Sequence, residues 1–498
     1  MDTSGVGKNI WYASITYIFP PILTYAFWFV AAKVAGAGPL GVASSIASLV
    51  LVISTIDALD THLGMKRLLG IAISAGDLEK FKQIFTSACL VITVTVTASA
   101  ALIAIPNLKI LESIGIDRQY AWAVIAMVIA QPFQFLFIET LIVALQSKKI
   151  VGPFLLGSVC RFPVLFVANY LFSASPTTAT IVAFSSTLFV STIWFGIDSI
   201  RILQRSHHAA IANVLRIIKK ILRAGLSSWI PTCMQTIGFQ LGVITVLSSG
   251  GATEAGKLYV VMGIFLVSQF IVTGVTKVTH PLFASLEKEE DRTKLLSYTT
   301  TIAFIFTLPI AMPLLFFGQD FLGLLGSEYK STANSMAIFI SSLPLEIVYY
   351  MIFYFVYGRG NNKAVFYLGI VGNAPRILLY FLLSPPLGID GAALSWLAGS
   401  VIQLALCIRV QKDYSLVLEY KKYSIITLIP FIIGAILYVA HLNFVVSTVI
   451  IFVGSFVLYT RLKLFTNKEL HDVVYTGLPY NIAQKVYPIL LKIMQKIN

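Results

Sequence analysis

Apolar stretches of about 20 residues recur along almost the whole chain, divided by short polar segments, and this pattern limits the fold more than any single motif. The hydrocarbon core of a bilayer is about 30 Å thick, and a helix rising about 1.5 Å per residue crosses it with roughly 20 apolar residues. Fourteen such segments can be counted, near 10–33, 40–59, 84–106, 120–146, 150–173, 177–200, 224–248, 255–277, 296–317, 333–357, 363–384, 389–409, 423–440 and 443–461. Only 12% of the 498 residues are charged and 57% are apolar, whereas soluble domains carry roughly 25% charge. The chain therefore reads as an all-α, multi-pass membrane protein. Its first segment lacks a short apolar region with a small-residue cleavage site, so it is expected to be a retained span.

The net charge of +14 comes from 36 Lys and Arg in small groups between apolar runs, without the long basic tract of a nucleic-acid binder. Lys and Arg concentrate in cytoplasmic loops. With the N-terminus placed in the cytoplasm, 29 of the 36 fall on that side, and five (Lys33, Lys109, Arg118, Lys257 and Lys330) on the other. The remaining two, Arg161 and Arg376, lie in mid-span. A missed helix would scramble this alternation. The expectation is a cell-membrane protein with both termini cytoplasmic.

The two halves resemble each other weakly. Gly41 in "GPLGVASSIASL" and Gly256 in "TEAGKLYVVMGI" lie 215 residues apart (256 − 41), as do Arg161 and Arg376 (376 − 161). This spacing predicts a parallel six-plus-six repeat: an N-lobe over 1–204 and a C-lobe over 224–411, pseudo-symmetric about a central cavity. A basic linker over 205–223, two further helices over 412–463 and an amphipathic tail over 464–498 complete the chain. The linker and the segment "KRLLGIAISAGDLEKFKQ" are expected to lie on the anionic inner surface of the membrane.

The four cysteines, Cys89, Cys160, Cys233 and Cys407, are scattered through apolar segments without metal-ligand spacing, and read as small buried residues. No P-loop, nucleophile elbow or metal cluster occurs, so neither catalysis nor a cofactor is expected.

Several stretches carry a family resemblance: "VAGAGPLGVASSIASLVLV", "LGMKRLLGIAISAGDLEKFKQIF", "VTHPLFASLEKEEDRTKLLSYTTT", "LLGSEYKSTANSMAIF" and "PPLGIDGAALSWLAGSVIQ". In this order they resemble the polysaccharide-export, O-antigen-flippase-like branch of the multidrug/oligosaccharidyl-lipid/polysaccharide (MOP) exporter superfamily. The resemblance implies two six-helix lobes plus two helices. It also implies movement of polyprenyl-(pyro)phosphate-linked oligosaccharides to the outer leaflet by alternating access, with membrane lipids and glycan polymerases or glycosyltransferases as partners. Many relatives carry an aspartate in the seventh helix where this chain has Gln240. That departure removes support for ion coupling through that helix.

An isolated Arg at the bilayer centre costs about 2.5–3.5 kcal/mol on insertion scales. Arg161 and Arg376 sit roughly 17–20 Å from the inner end of their helices, too deep to snorkel. Two readings stay open: each pairs structurally with an acid on the preceding helix, Glu139 or Glu346, or each offers forked donors to the lipid carrier's phosphate. The two combine if Glu139 and Glu346 compete with phosphate and so couple transport to a cation gradient. Pro163 and Pro375 beside the arginines predict helix breaks. Lys33 is either an outer anchor or an exit-side phosphate contact. Tyr350, Tyr354 and Tyr357 share a helix face suited to sugar stacking or to packing. Asp57 and Asp198 are expected in interfacial pairs, and His62 and His280 in solvated or capping roles.

Overall fold

An apolar run in hydrocarbon must satisfy every backbone amide within its own segment, and the helix does this with local bonds alone. The computed structural model describes residues 23–203, 214–286, 288–414 and 416–465, with a few positions beyond. Among these residues all regular structure is helical. The helices are α1 (Leu23–Ala35), α2 (Ala37–Ala58), α3 (Thr61–Ser74), α4 (Leu78–Ala104), α5 (Ala121–Val143), α6 (Lys148–Phe166), α7 (Pro176–Leu203) and α8 (Val214–Ser268). They continue with α9 (Phe270–Ser285), α10 (Glu289–Phe316), α11 (Gly318–Gly323), α12 (Ala333–Ser341), α13 (Leu343–Gly358), α14 (Asn362–Asp413), α15 (Tyr420–Val439) and α16 (Phe444–Arg461).

Among the described residues eleven helical stretches are long and apolar enough to cross a membrane, and two of them, Ser228–Ser268 and Lys363–Asp413, have double length. Each is bent at one glycine in a backbone conformation that side chains disfavour: Gly251 at φ 82° and Gly388 at φ 56°. Divided there, and joined by the shorter α1, they account for the fourteen spans read from the sequence. Two expected spans are themselves divided, the eighth between α8 and α9 and the tenth between α12 and α13. The linker is also partly reassigned. Residues 204–213 lie outside the described residues, as do 1–22 and nearly all of the tail. From Val214 onward, however, the linker is the first part of α8, because no proline or glycine interrupts it and Ile217 and Ile221 pack into the core while Lys219 and Lys220 stay exposed.

The chain forms two compact units, Met1–Val267 with Asn362–Ser395, and Ser268–Asn361 with Trp396–Asn498. In the first, α5 packs on α2, α3, α4 and α7, and α6 packs on α7. The segment expected on the membrane surface is divided between the amphipathic α3 and the first turns of α4; Met65, Leu69 and Ala72 of α3 recur at helical spacing and pack with Phe81, Phe85 and Leu136. In the second unit α10 is the hub, meeting α9, α12, α13, α15 and α16. Beyond its charged first turns α10 is buried on several faces, from Leu296 to Pro313.

A reciprocal helix crossing supports the repeat. A Cβ on Gly41 of α2 would lie 1.7 Å from the Ala252 carbonyl oxygen, and one on Gly256 of α8 would lie 2.0 Å from the Ala37 carbonyl oxygen. Ala37 and Ala252 are again 215 apart (252 − 37). Equivalent residues of the two halves thus press against each other across a local two-fold, and nothing larger than hydrogen fits at either glycine. Gly70 on α3 has open space around its Cα. Gly41→Ala or Gly256→Ala should cost about 1–3 kcal/mol or more through overpacking, lowering the melting temperature in detergent by several degrees, while Gly70→Ala leaves it unchanged or raised.

Candidate functional site

Arg161 is placed by α6 with its guanidinium inside the first unit, 3% exposed. Small residues make this depth possible: Gly157, one turn earlier, faces Thr187 of α7, with room for no side chain larger than hydrogen without displacement. Arg161 Nε donates to Thr187 Oγ1 at 2.8 Å, and that hydroxyl donates to the Gly157 carbonyl at 2.5 Å. The charged carbon lies 5.2 Å from the Phe27 ring centroid and 5.6 Å from that of Phe184. Trp28 closes the box, 4.8 Å from Phe184 and 4.9 Å from Tyr259 of α8.

Aromatic faces attract a cation, at about 0.5–2 kcal/mol each, but accept few hydrogen bonds. Accordingly Arg161 Nη1 has no hydrogen-bond partner among the described residues. Nor does a carboxylate pair with this arginine among them. Glu139, the acid expected there, instead meets Lys66 of α3, Nζ to Oε2 2.8 Å. The correction has a geometric cause: Glu139 lies near the C-terminal end of α5, beside α3, whereas Arg161 is held by α7 and α1. Arg376, in the first limb of α14 and in the same unit, is equally buried at 3% exposure.

In the second unit Glu346 of α13 accepts a hydrogen bond from Ser400 Oγ of α14 at 2.5 Å. Its counterpart in the first unit is Gln134, which sequence comparison by helix alone overlooked in favour of Glu139. Gln134 Nε2 donates to Ser191 Oγ of α7 at 2.5 Å. Ser191 in turn donates to the Thr187 carbonyl at 2.6 Å, while Ser400 Oγ lies 2.9 Å from the Trp396 carbonyl and shares its one proton between that oxygen and Glu346. The offsets agree: 209 for the serines (400 − 191) and their acceptors (396 − 187), and 212 for Gln134 and Glu346 (346 − 134). The signal was present as "QPFQ" and "LPLE", a proline two residues before each polar side chain. One contact is built twice, once with an amide and once with an acid.

The prolines do not break their helices. Pro375 lies inside an α-helix with no irregular backbone until Gly388, and Pro163 lies inside α6. Losing one amide leaves a helix in hydrocarbon with nothing better to bond than its own remaining carbonyls, so it stays closed. The irregularity near Pro163 comes one turn later, as a π-helical turn over Val167–Leu171.

Lys33 is exposed on α1. Tyr350, Tyr354 and Tyr357 are half-buried along α13. Phe353 links two of them, with centroids 5.6 Å from Tyr354 and 6.4 Å from Tyr357. Asp198 lies 3.7 Å from Lys149 and 3.5 Å from Arg201, paired with basic groups. Asp57 differs: Ser99 of α4 donates to its Oδ1 at 2.7 Å. The His280 side chain lies outside the described residues. Among the described residues no His, Cys, Asp or Glu group of three or more is arranged to hold a metal.

No protein-family model and no curated protein matches the sequence. Solved structures do match in fold. A lipid II flippase, MurJ, in an inward closed conformation superposes with a TM-score of 0.68 at 15% identity over 92% of this chain and 100% of that one. An inward-facing multidrug resistance MATE transporter of the MOP superfamily gives 0.63 at 16% identity, covering 82% and 98%. The Vibrio cholerae MATE transporter VcmN gives 0.60 at 14% identity, covering 82% and 98%. The chain has the fold of the MOP transporters and is a multi-pass membrane protein.

The Gln134 site should not tolerate the acid of its counterpart. Gln134 is 7% exposed and is bonded by the Gln131 amide and to Ser191. Gln134→Glu would bury a carboxyl without a cation and remove the donor to Ser191, at about 1–3 kcal/mol or more. Thermal unfolding in detergent should show a clear drop for Gln134→Glu and a smaller one for Ser191→Ala.

Proposed function

We propose that this protein is a flippase that carries polyprenyl-phosphate- or pyrophosphate-linked oligosaccharides from the inner to the outer leaflet by alternating access. It acts in the cell membrane with both termini in the cytoplasm, and delivers lipid-linked glycan to surface polysaccharide assembly and its polymerases or glycosyltransferases. The observation that carries this reading is Arg161: a buried guanidinium whose charge no described carboxylate balances and whose Nη1 is unbonded. A phosphate supplies what is missing, two or more anionic oxygens in a plane that the guanidinium fork matches. At 3% exposure the group is closed to ligand in this state, so phosphate engagement belongs to another state of the cycle. Arg376, buried in the same unit, is the second candidate contact, and Lys33, exposed on α1, an exit-side one. Glu346 and Glu139 are the candidate coupling acids, and the half-buried tyrosines of α13 are candidate sugar platforms.

Likeness to MATE transporters supports a second reading, export of amphipathic cations. An uncompensated Arg161 repels such substrates, which ranks this reading lower. A membrane glycosyltransferase or ligase ranks lower still, since the fold is a transporter fold and no acid–base constellation was found in the sequence.

The test is translocation in proteoliposomes, read as leaflet accessibility of a polyprenyl-diphosphate-linked oligosaccharide. Losing a charge-assisted hydrogen bond costs about 1.5–3 kcal/mol, so Arg161→Ala should slow translocation by about 10- to 100-fold, with Arg161→Lys in between and Arg376→Ala also slowed. Wild-type rates in both alanine variants overturn the assignment. Export of cationic dyes with no glycolipid movement favours the antiporter.

A further inference from the structure

The corner between α2 and α3 holds a second group of charges, apart from the Arg161 box. Leu59 and Asp60 both adopt the left-handed backbone region at φ 46°, a conformation costing about 1–3 kcal/mol for a residue other than glycine. The corner is held by α8: a Cβ on Gly225 would lie 2.8 Å from the carbonyl oxygens of both Leu59 and Asp60. Thr232 of α8 donates to Asp60 Oδ2 at 3.0 Å, and the Trp229 indole donates to the Ile56 carbonyl at 3.1 Å.

His62 stands at the start of α3, its ring 5.6 Å from that of Phe135 of α5. Its Nδ1 and Asp60 Oδ1 are shielded from solvent, and each lacks a hydrogen-bond partner among the described residues. The ionisable groups that act on the imidazole are Asp60, Glu139 of α5 and Lys66, which pairs with Glu139 at 2.8 Å. Two carboxylates and one ammonium leave this surrounding one positive charge short of neutrality. The positions 215 residues after Asp60 and 212 after Glu139 are Val275 and Met351, so the other half of the repeat carries neither acid.

We propose that His62, framed by Asp60, Glu139 and Lys66, is a proton-binding site, and that proton uptake there releases the α2–α3 corner into a second conformation. One added proton would complete the charge balance, yet in this conformation the shielded ring opposes it. Burial holds the imidazole below its ordinary pKa, outweighing the upward pull of Asp60 and then Glu139, with Lys66 pushing down as well. The sign follows from linkage: this conformation favours neutral His62, so a conformation that hydrates the ring binds the proton more tightly. As pH falls through the ordinary histidine range, near 6.5, the population shifts to that hydrated conformation. Strain stored at Leu59 and Asp60 favours the release. The site does not depend on what the transporter carries.

Trp229, bonded at the corner, is a native reporter. The full chain in lipid nanodiscs is titrated while tryptophan fluorescence is followed, with Trp229→Phe subtracted to isolate the corner. The expected result is a reversible transition with a midpoint below about 6.5, absent in His62→Gln. These charges act on the ring in this conformation, so Glu139→Gln, which weakens proton binding here alone, should move the midpoint up, and Lys66→Met, which strengthens it here, should move it down. A purely structural role cannot move the midpoint in opposite directions. A flat wild-type titration, a transition that survives His62→Gln, or same-direction shifts in the two charge variants overturns the proposal. If His62→Gln does not fold, the opposed shifts decide alone.

Discussion

The contact of Gly41 with Gly256 is the constraint on which the first unit depends. Inside a bilayer, burying apolar side chains between helices gains little over leaving them in lipid, so association rests on close packing. Here α2 and α8 approach until the added atom of an alanine would overlap a peptide carbonyl. Each contact has its mirror partner at the same sequence offset, so one small-residue motif, present twice, makes both sides of the joint. This brings α8 to the side of α2 and gives Tyr259 its place against Trp28 in the aromatic box of Arg161.

Duplication of the backbone has not kept the chemistry the same. Ser191 and Ser400 make matching bonds to the carbonyl one turn back and to a polar group on another helix, yet that group is Gln134 in one half and Glu346 in the other. The charged corner at His62 occurs in one half only. A repeat supplies two equivalent frameworks, and single substitutions at equivalent places then give each its own charge.

Much of this was legible in the sequence. The spans were visible because hydrocarbon length fixes segment length, and Gly41 and Gly256 marked the repeat. The mid-span depth of Arg161 was also legible, since apolar neighbours on both sides left no route to water. Partners were not legible. Glu139 and Arg161 lie on consecutive helices, but sequence does not reveal which way each side chain turns, and α3 intercepts Glu139 with Lys66. The prolines misled because the missing amide and ring clash that kink a helix are tolerated in hydrocarbon, where the remaining backbone groups have no other partners. The join between linker and α8 was missed because positive charge suggested a surface, whereas Ile217 and Ile221 recur at helical spacing and settle that stretch inward.

The pairing of Glu139 with Lys66 also bears on what Arg161 is for. Had Glu139 met Arg161, the guanidinium would be neutralised within the fold, and a structural role would account for it. Instead the nearest groups are a hydroxyl and aromatic rings, which hold the charge in place without cancelling it. A structural arginine gains little from this, because a buried donor left unbonded costs about 1–3 kcal/mol or more. A binding arginine does gain: its charge is kept whole, its orientation is fixed through Nε and Thr187, and its Nη1 has no partner among the described residues. Aromatic walls lower the local dielectric, so an anion that reaches the group is held more tightly than it would be in water. On the reading proposed above, the cost of leaving Arg161 without a carboxylate is the cost of preorganising a site for a ligand with more than one oxygen and a negative charge.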